Sequence, residues 1–290
     1  MPDSELAQPQ TENAAAPVPA NARYFVRFTR DQRYMHAALF TSFLGLAATG
    51  LVMRFSESFW ARKFAAGVGG FGAILFFHKL CAIVLTIAFL IHVKEVFQRG
   101  LLRREKGIFW GSTSMVGNWK DVKDLLGHMR WFLGLGPKPQ FERYAYWEKF
   151  DYWAVFWGMI VIGFSGYAMW FAPFFAHFLP GWALNAVLVI HSEEGLLAIL
   201  FIFSIHFVNT HLRPDSFPMD MVIFTGVESE DEFKHKRPLE YQRMLSEGKA
   251  ESRLGVAPPL WLLNFSKVVG SIAIFIGLTL LVLTLTAYFH

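Results

Sequence analysis

Four histidines lie in two long apolar stretches of the chain: His78 with His92, and His191 with His206. The members of the two pairs are 14 and 15 residues apart. On an α-helix this spacing separates two side chains by about 21 to 22 Å along the axis and leaves them within about 60° of one face. Neutral imidazole is a ligand of haem iron. The spacing therefore indicates two bis-histidine centres at different depths, one joining His78 to His191 and one joining His92 to His206.

The composition is that of an integral membrane protein, with membrane lipid as its surroundings. Hydrophobic residues make up 54% of the chain, aromatic residues make up 17%, and the mean hydropathy is +0.34. These values exceed those of ordinary soluble domains. Five stretches are long enough to cross a bilayer as helices. They cover residues 35–53, 71–97, 152–171, 183–208 and 260–288. The sequence thus predicts an all-α integral membrane helical bundle, with a four-helix core that carries the histidines and a fifth C-terminal transmembrane helix.

The chain divides into four parts by composition. Residues 1–22 are rich in alanine, proline and small polar residues, and we expect them to form a disordered tail and not a signal peptide. Residues 23–210 hold the first four spans. Residues 211–258 are a charged segment, in which we expect a solvated helix around residues 239–245. Residues 259–290 hold the fifth span.

Basic residues are concentrated on one side of the predicted bundle. Four arginines lie within residues 23–33, ten basic residues lie within 98–150, and seven lie within 210–258. The two short loops on the other side hold only three, all of them in the first loop. The positive-inside rule then places the N-terminus and both long loops in the cytoplasm and the C-terminus outside, in a bacterial-type inner membrane. The net charge of +4 is a topology signal and does not indicate a nucleic-acid partner.

Residues 119–132, in the first long loop, have the pattern of an amphipathic helix. Apolar residues recur at helical spacing on one face, and charged residues occupy the other. Two placements fit this pattern equally well. The helix could lie on the inner leaflet or against a partner, or it could pack on the base of the bundle itself.

A histidine inside a span is a functional candidate, because imidazole in lipid needs a partner, a metal or a cavity. A single such residue could be a hydrogen-bonded contact between helices, but four at two matching depths favour metal ligands. The second and fourth spans run in the same direction, so His78 and His191 meet near the outer surface. The single cysteine, Cys81, excludes an internal disulfide and a covalently attached c-type haem.

Several motifs together resemble one known family. They are RDQRYMH (30–36), FLGLAATG (43–50), FH (77–78), the third span (152–170), IHSEEG (190–195) and IH (205–206). In order and spacing they are similar to the di-haem cytochrome b subunits of formate dehydrogenases and nickel–iron hydrogenases, above all to the formate dehydrogenase gamma subunit. The resemblance covers roughly residues 23–245. It identifies residues 23–210 as a four-helix cytochrome b domain.

The resemblance also implies which histidines bind haem b. The outer haem would take His78 from the second span and His191 from the fourth. The inner haem would take His36, at the start of the first span, and His206. Because the first span begins at the cytoplasmic side, the depth of His36 agrees with this assignment.

Three features depart from the family pattern. His92 occupies a ligand-like position on the second span, as in the cytochrome b of quinol-oxidising bc complexes. His211 follows His206 by five residues, and a fifth span follows. The inner side thus offers His36, His92, His206 and His211 for one haem or for two, and we rank two haems in total ahead of three. On an ideal α-helix His211 lies about 140° from His206, so the two are not expected to face one haem.

The resemblance implies electron transfer across the membrane, between an outer iron–sulfur or multihaem c-type cytochrome subunit and the quinone pool. Tyr144 and Glu148, just before the third span, resemble the family's quinone-site region and could bind a quinone or move its protons. An aromatic belt with a glutamate at the helix start explains them as well. A different class is also open, a transporter or channel whose histidines relay protons. The apolar run 83–91 argues against a continuous proton path through the second span.

Overall fold

The computed structural model describes residues 22–214 and 216–289. The predicted disordered tail therefore lies outside the described residues, except for residue 22. Five long helices form the body of the molecule. They are α1 (Arg30–Arg54), α2 (Phe71–Leu102), α3 (Tyr146–Trp170), α4 (Gly181–Leu212) and α5 (Leu260–Tyr288). Each is long and apolar enough to cross a membrane. The chain is an all-α membrane helical bundle with five candidate spans, which confirms the predicted fold class.

The connections alternate between the two ends of the bundle. We call the end at which α1 begins the N side and the opposite end the C side. The short helices Phe59–Val68 and Ala172–Phe175 lie on the C side. The N side carries the helices Trp119–Phe132, Val222–Thr225, Glu230–Lys236 and Pro238–Ser246, and the strands β1 (Tyr24–Val26), β2 (Val227–Ser229) and β3 (Leu254–Gly255).

Local signals explain where α1 begins and how it tolerates polar residues. Thr29 caps the helix by accepting from the backbone N–H of Gln32, and the Gln32 side chain accepts in return from the backbone N–H of Thr29. Within the span, the hydroxyls of Ser42 and Thr49 donate to carbonyl oxygens four residues earlier. In this way the hydroxyl groups have a hydrogen-bond acceptor inside an apolar helix.

Helices α2, α3 and α4 depart from regular α-geometry at identifiable places. Wide π-helical turns occur at Gln98–Leu102, Met159–Gly163, Ile202–His206 and Val208–Leu212. Such turns bond residue i to residue i+5 and are frequent at functional sites. Two of these four turns contain His206 and His211, so they alter which way the candidate ligands point.

The fifth helix packs directly on the first four. Its Leu280 belongs to a buried cluster with residues of α1 and α4: Ala47, Leu51, Leu196, Ile199, Phe203 and Phe207. Gly277 makes the close approach possible, because a Cβ there would lie 2.6 Å from the ring of Phe207 and 2.7 Å from that of Phe203. Helix α5 is therefore an integral part of the bundle.

A small N-side subdomain joins distant parts of the chain. β1 pairs antiparallel with both β2 and β3, so that Phe25 lies opposite Glu228 on one edge and Leu254 on the other. Below the sheet, Phe25 packs with Phe233, Met244 and Ala250. The helix expected around residues 239–245 is present, but its Met244 is buried in this core and is not solvated.

Buried ion pairs tie this subdomain to the bundle. The side chains of Arg27 and Glu240 are 2% and 5% exposed, and Glu240 accepts from Arg27 Nη1 at 3.2 Å. Glu240 also accepts from Arg143 Nη1 at 2.8 Å, and Arg253 Nη2 lies 3.7 Å away. Arg143 precedes α3, so this cluster fixes the subdomain against the start of the third span.

The helix Trp119–Phe132 packs on the bundle through its polar face. Lys149 Nζ bonds Asp121 at 2.9 Å, and His128 Nδ1 bonds the Tyr146 hydroxyl at 3.1 Å. Its apolar residues face outward, and Trp119 is 70% exposed. The helix thus rests on the base of the bundle, and its other face remains available to a further surface.

Candidate functional site

A single large cavity runs through the middle of the bundle from the C side to the N side. Its volume is about 2120 Å³, which is about twice the upper end of the usual range for small-molecule pockets. All six candidate histidines line it: His36, His78, His92, His191, His206 and His211. Tyr144 and Glu148 line its N-side part.

The C-side centre is formed by His78 on α2 and His191 on α4. Their ring centroids are 6.2 Å apart, and the ring planes are inclined by 74°. A metal–nitrogen bond is about 2 Å long, and an imidazole centroid lies roughly 1.2 Å from a ring nitrogen, so two rings on opposite sides of one metal have centroids about 6.3 Å apart. The observed separation matches a metal held between the two rings.

Hydrogen bonds orient both imidazoles of this centre through Nδ1. His78 Nδ1 lies 2.9 Å from Thr49 Oγ1, whose own proton is donated to the Gly45 carbonyl, so the imidazole is the donor. His191 Nδ1 donates to the Ile162 carbonyl at 2.9 Å, within the π-helical turn of α3. With Nδ1 protonated, Nε2 of each neutral ring carries the lone pair that a metal needs.

Glycines make room for both rings. A Cβ at Gly50 would lie 3.5 Å from His78 Cε1, an ordinary contact. A Cβ at Gly166 would lie only 2.9 Å from His191 Cε1, closer than real Cβ atoms approach. The His191 ring is held by Ile162, so it cannot move away without losing that hydrogen bond.

Replacing Gly166 with alanine is therefore expected to displace the His191 ring, at a cost of about 1–3 kcal/mol for overpacking. The measurement is the retention of any group bound between His78 and His191, compared with a Gly72→Ala variant. Gly72 lies on α2 outside the lining of the cavity, with nothing within 4 Å of its Cβ position. Both substitutions raise helix propensity, so equal retention by the two would contradict the close approach at Gly166.

The N-side centre is built around His206. Its Nδ1 donates to Asp151 Oδ2 on α3 at 2.9 Å, which again leaves Nε2 as the free ligand nitrogen. His36, near the N-side start of α1, lines the same cavity as His206 and His211.

The structure differs from the sequence expectation for His211. Its ring centroid is 6.4 Å from that of His206, with the planes perpendicular, although an ideal α-helix would place the two on different faces. The cause is the pair of π-helical turns, in which residues five apart occupy adjacent turns of one face. Among the described residues His211 Nδ1 is buried without a hydrogen-bond partner, so His211 remains a candidate ligand beside His206.

His92 makes a contact between helices. Its Nε2 lies 2.9 Å from the Tyr152 hydroxyl, and its ring packs against Tyr152 and Phe156 of α3. His92 Nε2, the nitrogen that would bind a metal shared with His206 of α4, is thus hydrogen-bonded to α3 instead. This geometry favours His36 or His211 over His92 as the partner of His206.

Tyr144 and Glu148 lie together beside the buried ion pairs. The ring of Tyr144 is flanked by the guanidinium groups of Arg27 and Arg143, at 5.2 and 5.4 Å. Glu148 Oε1 accepts from Arg237 Nη2 at 2.7 Å, and Oε2 accepts from the backbone N–H of Ala145 at 2.7 Å. Both carboxylate oxygens of Glu148 are therefore engaged. The Tyr144 hydroxyl accepts a long hydrogen bond from Arg143 Nε at 3.4 Å and keeps its own proton to donate.

Three residues that orient the imidazoles were not predicted from the sequence. Thr49, Asp151 and Ile162 hold His78, His206 and His191 respectively. The position of Asp151 at the start of an apolar span could have marked it, because an acidic residue there needs a polar partner. No sequence signal marks the Ile162 carbonyl, since its availability depends on the π-helical turn.

Metal held by side chains alone is not supported in the described part of the chain, where no group of three or more His, Cys, Asp or Glu residues converges. The histidines instead occur as facing pairs. A pair suits a metal whose other four ligands come from a macrocycle, as in haem. The residues present therefore fit a haem at the C-side centre, and at the N side His206, oriented by Asp151, would need His36 or His211 as the second ligand.

Comparison with known proteins adds no family assignment, since no family model and no curated protein matches the chain. The class that the structure defines is a multi-pass, all-α membrane bundle with a histidine-lined internal cavity.

Proposed function

We propose that the chain is a membrane b-type cytochrome that carries electrons between the quinone pool and a redox partner on the C side. The observation that supports this most is the C-side pair. His78 and His191 stand 6.2 Å apart across the cavity, with both Nδ1 atoms bonded elsewhere.

The histidines have separate roles in this proposal. His78 and His191 hold the C-side haem, and His206 with His36 holds the N-side haem, while His211 competes with His36. When bound, haem supplies one-electron iron chemistry. The chain itself keeps Nδ1 of His78, His191 and His206 protonated and their Nε2 available, and the apolar cavity walls exclude water from the ligands.

The distribution of basic residues supports the orientation. With the N side in the cytoplasm, both long basic loops lie where the positive-inside rule expects them. An iron–sulfur or multihaem cytochrome c subunit would then dock outside, on the C side. The outward apolar face of the helix Trp119–Phe132 would rest in the cytoplasmic leaflet.

A reduced-minus-oxidised absorption spectrum of the purified chain, with haem quantified per polypeptide, tests the proposal. We expect b-type bands and about two haems per chain, because two histidine centres are present. The proton-relaying transporter, in contrast, needs no chromophore. Absence of these bands would contradict the cytochrome proposal. A ratio of about three haems per polypeptide would indicate that His92 or His211 serves a further haem.

A further inference from the structure

The helix Trp119–Phe132 leaves an apolar face uncovered. Successive residues of a helix turn by about 100°, so the exposed apolar side chains lie within about 140° of its circumference. They are Trp119, Val122, Leu125, Leu126, Met129 and Phe132, with exposed fractions from 40% to 72%. Asp121 and His128, which contact the bundle, lie outside this arc. A contiguous apolar face of this size marks an interaction surface.

The helix lies across the start of the third span. Asp121 accepts from Lys149 Nζ at 2.9 Å, and His128 Nδ1 lies 3.1 Å from the Tyr146 hydroxyl. These two contacts are about 10 Å apart along the helix Trp119–Phe132 but only about 4.5 Å apart along α3. Both lie in the first turn of α3, so the helix stays at the level where this span begins. The apolar face is therefore at the level of the bilayer interface.

The charges of this helix are segregated between its sides. The two acidic residues, Asp121 and Asp124, have side chains that are each 14% exposed, and each is paired with a lysine. Lys123 and Arg130 are exposed, and neither forms an ion pair within the described residues. They are seven residues apart, so they lie within about 20° of each other and directly beside Trp119 at one edge of the apolar face. The exposed side of the helix therefore carries two positive charges.

We propose that the helix Trp119–Phe132 is a binding surface for anionic phospholipid of the N-side leaflet. The apolar face takes the acyl chains, and Lys123 and Arg130 pair with the headgroup phosphates at its edge. A zwitterionic headgroup brings its own cation to these two positive charges, whereas an anionic headgroup does not. Basic residues beside an interfacial helix are attracted to anionic leaflets for this reason. Such a site does not depend on which histidines bind haem.

The test measures which phospholipid lies beside the apolar face. The whole chain, with Cys81→Ala and Met129→Cys, is labelled with bimane at residue 129 and placed in nanodiscs of phosphatidylcholine with a minor share of phosphatidylglycerol. A quenching nitroxide is carried by the acyl chains of either the phosphatidylglycerol or an equal amount of the phosphatidylcholine. We expect the labelled phosphatidylglycerol to quench at least about twofold more strongly, because it is enriched beside two basic residues.

Two pairs of substitutions separate a local site from net charge. Lys123→Gln with Arg130→Gln should lower the ratio of quenching by the two lipids to about one, while quenching by phosphatidylcholine stays at the wild-type level. Lys234→Gln with Lys249→Gln is the matched control. It removes two positive charges from the same side of the bundle, where each lysine is paired with a glutamate, so the ratio should keep its wild-type value.

A salt titration of the wild-type sequence at Lys123 and Arg130 decides the question even if the double variant does not fold. Raising the ionic strength should lower the ratio towards one, because exposed charges are screened. A ratio of one at low salt overturns the anionic site, and so does a ratio that salt leaves unchanged or an equal loss in the control pair. Absence of quenching by both lipids would mean that the face lies against protein or water, and would overturn the proposal.

Discussion

If the chain is the proposed b-type cytochrome, replacing His191 with alanine should lower the haem bound per chain by about half, because the C-side centre would keep only one of its two histidines. The His78 ring, still held by Thr49 at 2.9 Å, cannot bind the metal from both sides. The measurement is pyridine haemochromogen absorbance per polypeptide after purification in detergent.

His92→Ala is the matched control. His92 lies in the same cavity but bonds Tyr152 on the neighbouring helix, so both haems are expected to survive its replacement. Loss of one haem from the His92 variant would contradict the assignment of His36 and favour the symmetric pairing of His92 with His206. Full haem retention in the His191 variant would contradict the pairing of His78 with His191.

Replacing Glu240 with glutamine should destabilise the N-side subdomain by about 3 kcal/mol, because it removes the nearest carboxylate from Arg27 and Arg143 and leaves Arg27 only the more distant Glu148, at 3.9 Å. Glu240 is the shared acceptor of Arg27 and Arg143, and Arg27 is 2% exposed. Thermal unfolding in detergent, together with the rate of proteolysis within residues 211–258, measures the effect. Glu247→Gln, directly after the helix that carries Glu240, is the control, since that carboxylate is exposed and its ion pair among the described residues is with Lys249.

The same cluster predicts a dependence on pH. Burial alone would raise the pKa of Glu240, but the guanidinium groups of Arg27 and Arg143 outweigh burial and hold this pKa below its ordinary value. A carboxyl with a lowered folded-state pKa contributes stability above its unfolded pKa and loses it as the pH falls through the folded value. Acidification should therefore weaken the wild-type subdomain, and the Glu240→Gln variant should lack this component.

Hydropathy and helical periodicity were sufficient to predict the five spans and the meeting of His78 with His191. Both depend on regular helices at matching depths, and α2 is regular up to Phe97. The helices extend beyond the predicted spans, from residue 146 in α3 and to residue 212 in α4, because their ends are polar turns that hydropathy does not register.

The N-side centre could not be predicted to the same extent, because it depends on departures from regular geometry. The π-helical turns of α4 bring His211 beside His206, and no residue pattern marks them. The side chain that engages His92, Tyr152, comes from a neighbouring helix whose rotation only packing decides. Likewise, strands of two or three residues carry too little alternation to be recognised.

The three-stranded sheet also sets the order in which the molecule is assembled. β1 leaves the ribosome about 200 residues before β2, with which it must pair, and β3 follows still later. Four helices can therefore enter the bilayer while the first strand is unpaired, and long-range strand pairing is a slow step. Residues 228–238, several of which line the N-side part of the cavity, are synthesised after the first four helices, so this end of the cavity can stay open until they fold.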